Sequence, residues 1–359
     1  MSSLKILSFG AGAIGTYIGG SLALAGHRVV FVEQPAVVAA LRQHGLKLDL
    51  TVDKRRGERA KFEIRDSVAF AGSLDEAFKL ASYDVIFFAL KSFDTLSAAE
   101  ALAEYRSSNT ELSNDEFPPV LCLQNGVDNE PAIAATLGAD KVIYGTVTSA
   151  IGRRAAGDIA LEKLRGVGVA AGHPLSERLV KALNGAYLNA RLFPKAEDMK
   201  WSKMLTNLLA NPTSAILNLT AAEVFADPRL YKLEIDQLKE CLTVMKAQGI
   251  GVVDLPGTPV RALALATRLP LWLSKPFLSK AAGAGRGAKM PSFHIDLYAG
   301  RGRSEVTYLH GAVVRAGERL HIPTPVNRLL TETLLYLTAG VIPLDEFAGK
   351  PEKLLEKLG

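Results

Sequence analysis

Cysteine is almost absent from this chain: Cys122 and Cys241 are the only two in 359 residues. Two thiols so far apart cannot staple a chain of this length, so a reducing compartment, the cytoplasm, is the expected setting. Histidine is also scarce, six in all and scattered. No H-E-x-x-H, C-x-x-C pair, G-x-S-x-G or Walker loop occurs, and Gly283 to Lys289 imitates a phosphate loop only loosely. Metal catalysis therefore has no support. There is no strong excess of one charge: Lys+Arg 42 against Asp+Glu 37 gives +5, a balance that suits a small anionic ligand and does not demand nucleic acid. Ordinary Gly and Pro usage, 31 and 17, excludes collagen and disorder. What the chain has in quantity is apolar material, 48% of residues, enough for a large core and at this length for two domains.

The longest early gap in charge runs from Ile6 to Gly26. With Lys5 before it and Ala23-Leu24-Ala25 near its end, the run imitates a secretion signal or a membrane span. Its glycines (Gly10, Gly12, Gly15, Gly19, Gly20 and Gly26) are too many for a signal-peptide core. A strand-like segment, Leu4 to Phe9, precedes them and a helix-like one, Thr16 to Ala25, follows. A second strand, Arg28 to Val32, then ends at Glu33.

Within this unit Gly10-Ala11-Gly12-Ala13-Ile14-Gly15 is G-x-G-x-x-G at a strand-to-helix turn. Gly10 permits the tight turn, Gly12 lets backbone approach a pyrophosphate, and Gly15 lets helix and strand pack closely. The helix N-terminus offers N–H groups and a positive dipole end to phosphates. The alternative is a set of packing glycines without a ligand. The flanking strand and helix, and the acid at Glu33, favour a dinucleotide site.

The rest of the first half alternates in the same way. Asp84 to Leu90 and Val120 to Leu123 are continuous apolar runs, as in parallel strands covered on both faces, and Thr95 to Tyr105 and Asn129 to Leu137 are helical. Leu46 to Leu50 and Lys61 to Arg65 alternate as strands around the basic tip Lys54-Arg55-Arg56, which reads as a solvated hairpin turn, with nucleic-acid contact as the alternative. Lys91 and Gln124-Asn125-Gly126 follow strand ends, where ligands bind in doubly wound sheets. From about Asp198 the pattern becomes helical and Leu/Ala-rich. The expected architecture is α/β, an N-terminal doubly wound Rossmann-type sheet over 1–194 followed by an all-helical C-terminal domain over 195–359.

Candidate chemistry concentrates in that second half. Lys203, Asn207 and Asn211 stand at i, i+4 and i+8 and predict one polar helical face, opposite Met204, Leu205, Leu208 and Leu209. An ordinary wet face is the alternative, but asparagine is a poor helix former, and Pro212 kinks the helix or begins a new one. Between Asp254 and Asp296 there is no acid, while Arg261, Arg268, Lys275, Lys280, Arg286 and Lys289 supply six positive charges. These read as a surface or subunit interface, or as an electropositive flank for an anionic substrate. Pro270 and Pro276 argue against a membrane-surface helix there.

Taken together, Gly10 to Gly15, Leu90-Lys91-Ser92, Gln124-Asn125-Gly126-Val127, Trp201 to Pro212, Ser292 to Asp296, Gly300 to Glu305, Gly311 to Val314 and Ile322 to Asn327 resemble the ketopantoate reductases over most of the chain. The resemblance implies NADPH-dependent reduction of 2-dehydropantoate to (R)-pantoate on the route to coenzyme A. It also implies a Rossmann domain followed by an all-helical domain. Lys203 would then be the general acid, since an ammonium stabilises and protonates the developing alkoxide. Asn207 and Asn211 would hold the substrate's hydroxyl and carboxylate ends, and Ser292 would bind the carboxylate. Glu305 would accept a substrate hydrogen bond and keep Lys203 charged. Lys91 and Asn125 would contact the cofactor's ribose and nicotinamide side, Asn125 also facing substrate. Partners are a small anionic 2-oxo acid, with neither nucleic acid nor membrane, and a homodimer is left open.

Three features depart from the family pattern. Glu33 is followed by Gln34 with no arginine beside it; a carboxylate there suits a ribose hydroxyl and repels a 2′-phosphate, which favours NADH, although Arg42 is near enough in sequence to reach in. The Asp296-to-Glu305 spacing is one residue longer than usual, and Thr307 and His310 replace the usual Asp and Asn. A paralogue acting on another 2-oxo acid, or a non-catalytic NAD(P)-sensing protein, therefore stays open.

Overall fold

The computed structural model describes residues 3–57, 60–109, 117–276, 278 and 290–358. The chain divides into two compact units, Met1–Lys200 with Leu255–Thr258, and Trp201–Asp254 with Pro259–Gly359.

In the first unit the strands are β1 (Lys5–Phe9), β2 (Arg28–Val32), β3 (Leu46–Asp49), β4 (Lys61–Ile64), β5 (Val68–Ala71), β6 (Val85–Phe88), β7 (Val120–Cys122), β8 (Val142–Val147), β9 (Ala150–Ala155), β10 (Asp158–Lys163), β11 (Val167–Ala170) and β12 (Ala190–Phe193). Eight of them form one sheet in the order β12-β11-β8-β7-β6-β1-β2-β5, all neighbours parallel except β8 with β11. Strand order reverses at β1, with β2 on one side and β6 on the other, so the turn after β1 lies at the topological switch point. The helices α1 (Ala13–Leu24), α2 (Pro35–His44), α3 (Leu74–Leu80), α4 (Thr95–Ser108), α5 (Asn129–Leu137) and α6 (Ser176–Gly185) connect the strands.

Side-chain alternation explains the unbroken apolar runs. Ile6, Phe31, Phe87 and Leu121 enter one buried cluster, while Leu7, Val30, Ile86, Phe88 and Val120 enter another. Neighbouring residues point to opposite faces, and both faces are covered.

The remaining strands form a separate sheet, β4-β3-β10-β9. The β3–β4 hairpin is present as expected; at its basic tip Lys54 and Arg55 are exposed, while the Arg56 side chain is turned inward. Arg55 pairs with Asp53 at 2.7 Å and donates to Asn189 Oδ1 and the Tyr187 carbonyl, each at 2.5 Å. Arg56 is 6% exposed and donates to the Ala186 carbonyl at 2.6 Å. The tip is pinned by carbonyls of its own unit, which a local charge count does not reveal.

All named elements of the second unit are helical: the later part of α7 (Ala196–Leu208), α8 (Asn211–Leu217), α9 (Ala221–Ala226) and α10 (Pro228–Ala247), then helices Val260–Ala266, Ser292–Tyr298, His310–Arg319, Pro325–Thr338 and Pro351–Leu355. In α10 Asp227 caps the first turn and Pro228 occupies the position where a missing N–H costs nothing. Its buried stripe runs through Leu230, Leu233, Leu238, Cys241 and Met245 and includes two polar residues, Glu234 and Gln237. Both cysteines are buried free thiols. No helix of the described residues is long and apolar enough to cross a membrane.

Candidate active site

In the first unit the glycine turn follows β1 and opens α1. Gly10 takes φ +95, and a Cβ on Gly15 would lie 1.9 Å from the Gly10 carbonyl oxygen, so both are required by the backbone itself. Gly12 is different: a Cβ there would meet no protein atom within 4 Å. Gly12 is also the N-cap of α1, with no side-chain cap and no acid in the first turn. A helix start left to backbone N–H groups, with room in front of its one unforced glycine, fits a phosphate.

Glu33, half-buried at the end of β2, accepts the Ala11 N–H at 2.6 Å through Oε1. Thr16 Oγ1 donates to the Ala11 carbonyl at 2.9 Å, so the residue between the first two glycines is held on both sides. Arg42 does not reach toward this turn. Its guanidinium pairs with Glu76 and donates to the Phe70 carbonyl at 2.9 Å.

Lys91 and Asn125 lie on neighbouring strand-end turns joined by Gln124. The Gln124 amide donates to the carbonyls of Leu90 and Lys91, both at 3.2 Å, and to Thr95 Oγ1 at 2.8 Å. Asn125 is exposed, while its carbonyl accepts from Asn129 Nδ2 at 2.6 Å and Ser92 Oγ at 3.1 Å. Beneath this turn Lys200, 3% exposed, pairs with fully buried Glu130 at 2.6 Å. Burial raises the Glu130 carboxyl above its ordinary range, and burial likewise pushes the Cys122 thiol well up. Sequence reasoning gives Gln124 no role of its own and passes over Glu130, Asn129 and Lys200. An acid and an amide in the first turn of an apolar helix are the signal that could have found them.

In the second unit the expected single face of Lys203, Asn207 and Asn211 is broken. Helix α7 ends at Leu208, Ala210 adopts φ +52 and ψ 11, and Asn211 begins α8 with Pro212 behind it. A left-handed alanine costs about 1–2 kcal/mol, and a buried carboxylate offsets it. Glu234 Oε2 accepts the Ala210 N–H at 2.6 Å and Oε1 accepts the Thr213 hydroxyl at 2.6 Å. Gln237 donates to Glu234 at 2.5 Å and is itself within 3.0 Å of His310 Nε2.

Lys203 and Asn207 remain four residues apart on α7, both half-buried. The break turns the Asn211 amide onto the end of α7 and onto another helix: Nδ2 donates to the Asn207 carbonyl at 3.3 Å, and Oδ1 accepts the Phe293 N–H at 3.1 Å. Ser292 Oγ lies 3.5 Å from the same amide. The side chains of Asn211 and Ser292 are thus brought together by helix ends, with the Asn207 backbone carbonyl on the same amide. Glu305, 6% exposed, opens a 3-10 turn capped by Ser304, and Asp296 pairs with Arg301 at 2.8 Å. Of the basic stretch, Arg261 donates its N–H to Asp254 at 2.9 Å and Lys275 donates to the Ala226 carbonyl at 2.7 Å. Lys280, Arg286 and Lys289 lie outside the described residues, as does the whole stretch Gly283 to Lys289. No group of His, Cys, Asp and Glu among the described residues is arranged to hold a metal.

A doubly wound sheet with a glycine turn at its switch point, accompanied by a helical unit, defines a Rossmann-type architecture. Residues 6–171 match the family described as Ketopantoate reductase PanE/ApbA, and residues 195–336 match its C-terminal part. The chain belongs to the ketopantoate reductase family. It is 28% identical over 342 residues to a 2-dehydropantoate 2-reductase of Archaeoglobus fulgidus, spanning 94% of this chain and 97% of that one. It is 25% identical to one of Halobacterium salinarum, spanning 92% and 97%. Among solved structures it is similar to a PanE/ApbA family ketopantoate reductase from Ralstonia eutropha JMP134, with TM-score 0.76, 26% identity, and 94% and 99% of the two chains covered. A D-mandelate dehydrogenase solved with NADH and anilino(oxo)acetate shares the fold, with TM-score 0.73 and 19% identity over 94% and 99% of the chains.

Proposed function

We propose that this protein reduces a 2-oxo acid, 2-dehydropantoate to (R)-pantoate, with a reduced nicotinamide dinucleotide, in the synthesis of pantothenate and coenzyme A. A nicotinamide cofactor, when bound, supplies the hydride. The backbone N–H groups that open α1 beside Gly12 would hold its phosphates, and Lys91 and Asn125 its ribose and nicotinamide side. Lys203 would stabilise the negative charge that develops on the substrate's carbonyl oxygen and deliver the proton. Asn207, Asn211 and Ser292 would orient the hydroxyl and carboxylate ends, and Glu305 would accept a substrate hydrogen bond and favour the charged form of Lys203.

The observation that carries this reading is the Asn211–Ser292 side-chain contact, set by a strained backbone break at the end of the helix that bears Lys203 and Asn207. Backbone strain sustained by a buried carboxylate is where function is expected. For the cofactor, NADH is the better fit. Glu33 puts a carboxylate at the end of β2, and Arg42 is committed to Glu76 and Phe70. A bulkier 2-oxo acid is the second reading, favoured by Thr307 where the family usually has Asp; His310, where Asn is usual, is fully buried against Gln237. Turnover of a panel of 2-oxo acids with NADH and NADPH tests both. Cofactor binding without turnover of any acid would leave a non-catalytic nucleotide sensor.

A further inference from the structure

The Lys200–Glu130 pair has no part in the chemistry above, yet its placement is costly. Burying two charges carries a desolvation penalty that a hydrocarbon pair of similar volume avoids. What hydrocarbon cannot do is tether carbonyl groups. The Lys200 ammonium reaches three oxygens: Glu130 Oε1 at 2.6 Å, the Gln124 carbonyl at 2.7 Å and the Gly145 carbonyl at 3.2 Å. The two carbonyls accept hydrogen bonds from the ammonium, and Glu130 supplies its counter-charge as an ion pair.

The Gln124 carbonyl belongs to the peptide unit whose N–H is that of Asn125. Because a peptide unit is planar, holding that carbonyl fixes the direction of the Asn125 N–H. The next peptide unit is held as well, since the Asn125 carbonyl accepts from Asn129 and Ser92. Asn125 is therefore an exposed residue clamped at both flanking peptides, just before Gly126 at φ +95. Glu130 and Asn129 both stand in the first turn of α5, so one helix start supplies the counter-charge and the second clamp.

We propose that Lys200, supported by Glu130, is a positioning residue that sets the Asn125 turn for the nicotinamide end of the dinucleotide. The inference rests on the reading that Asn125 contacts that end, and it adds residues that touch neither cofactor nor substrate.

The test compares NADH with ADP-ribose, which lacks the nicotinamide, on the full-length protein. In the double variant Lys200→Met/Glu130→Leu no buried charge is orphaned, and folding is expected to persist with a thermal midpoint near wild type. ADP-ribose binding is expected to stay within about twofold, because the glycine turn is untouched. The preference for NADH over ADP-ribose should collapse, and kcat should fall about tenfold to a hundredfold, as small misplacements near a reacting group do. A double variant with wild-type preference and kcat overturns the proposal. Should it fail to fold, Lys200→Arg keeps the charge in a different donor geometry. It is expected to show the same selective loss, and an unchanged preference there overturns the proposal equally. Wild-type protein that binds neither ADP-ribose nor NADH would instead remove the dinucleotide reading, and this proposal with it.

Discussion

Glu234 Oε2 accepts the backbone N–H of Ala210 at 2.6 Å, and that bond closes the left-handed break between α7 and α8. Glu234→Ala would leave the Ala210 N–H, the Thr213 hydroxyl and the Gln237 amide without this acceptor in a fully buried site. A loss of about 3–5 kcal/mol is expected from urea unfolding. Glu234→Gln keeps the shape and one carbonyl acceptor and should cost less than half as much. Equal losses would show that charge, not the geometry of the break, is what Glu234 supplies.

The two outer glycines of the turn and the middle one should separate cleanly. Gly15→Ala forces a Cβ to within 1.9 Å of the Gly10 carbonyl oxygen and is expected to impair folding. Gly12→Ala meets nothing of the protein, at φ −73 that alanine adopts freely, so its thermal midpoint should match wild type. Its NADH dissociation constant should rise by at least about tenfold, because the methyl enters the space left for a phosphate. Unchanged NADH affinity in Gly12→Ala would assign that glycine to packing after all.

Cofactor choice turns on Glu33. Wild-type protein should use NADH in preference to NADPH. Glu33→Ser, alone or with Gln34→Arg, should move the ratio of kcat/KM values toward NADPH by removing a repelling carboxylate. Since Glu33 also accepts the Ala11 N–H, the substitution is expected to weaken NADH itself by a few-fold. Strong NADPH preference in wild type would contradict the role given to this carboxylate.

His310 provides a pH dependence of known sign. It is fully buried beside Gln237, and burial pushes its pKa from 6.5 down to about 3. Between those values the unfolded chain binds a proton that the folded chain refuses, so stability must fall as pH falls. From pH 6.5 to about pH 4.5 this one residue should remove about 2 kcal/mol. His27, His173 and His294 are shifted the same way, so the comparison is wild type against His310→Asn, whose stability should decline less steeply over that interval. Parallel declines would mean that His310 accepts its proton in the folded state.

Much of the first unit was legible because its signals are local. A charge-free run punctuated at Gly10, Gly12 and Gly15, and doubly covered strands such as Val85–Phe88, leave little freedom in how they fold. The basic tip was partly legible: Lys54 and Arg55 are exposed as a solvated turn requires, but the bonds that Arg55 and Arg56 make at residues 186–189, about 130 positions away, leave no local signal. The helix of Lys203, Asn207 and Asn211 was half legible. Pro212 announced an interruption, but the left-handed Ala210 depends on Glu234, which sequence spacing does not connect to it. The Lys200–Glu130 pair was invisible for the same reason, since a lysine and a glutamate 70 residues apart read as two surface charges until the fold buries both.

The most direct test is the oxidation of NADH, followed at the nicotinamide absorbance band with 2-dehydropantoate and a panel of other 2-oxo acids, for wild type and Lys203→Ala. The expected result is turnover of at least one acid by wild type, with kcat lowered on the order of a hundredfold or more in Lys203→Ala while NADH affinity persists. Wild-type turnover that survives the loss of Lys203 unchanged would contradict the account.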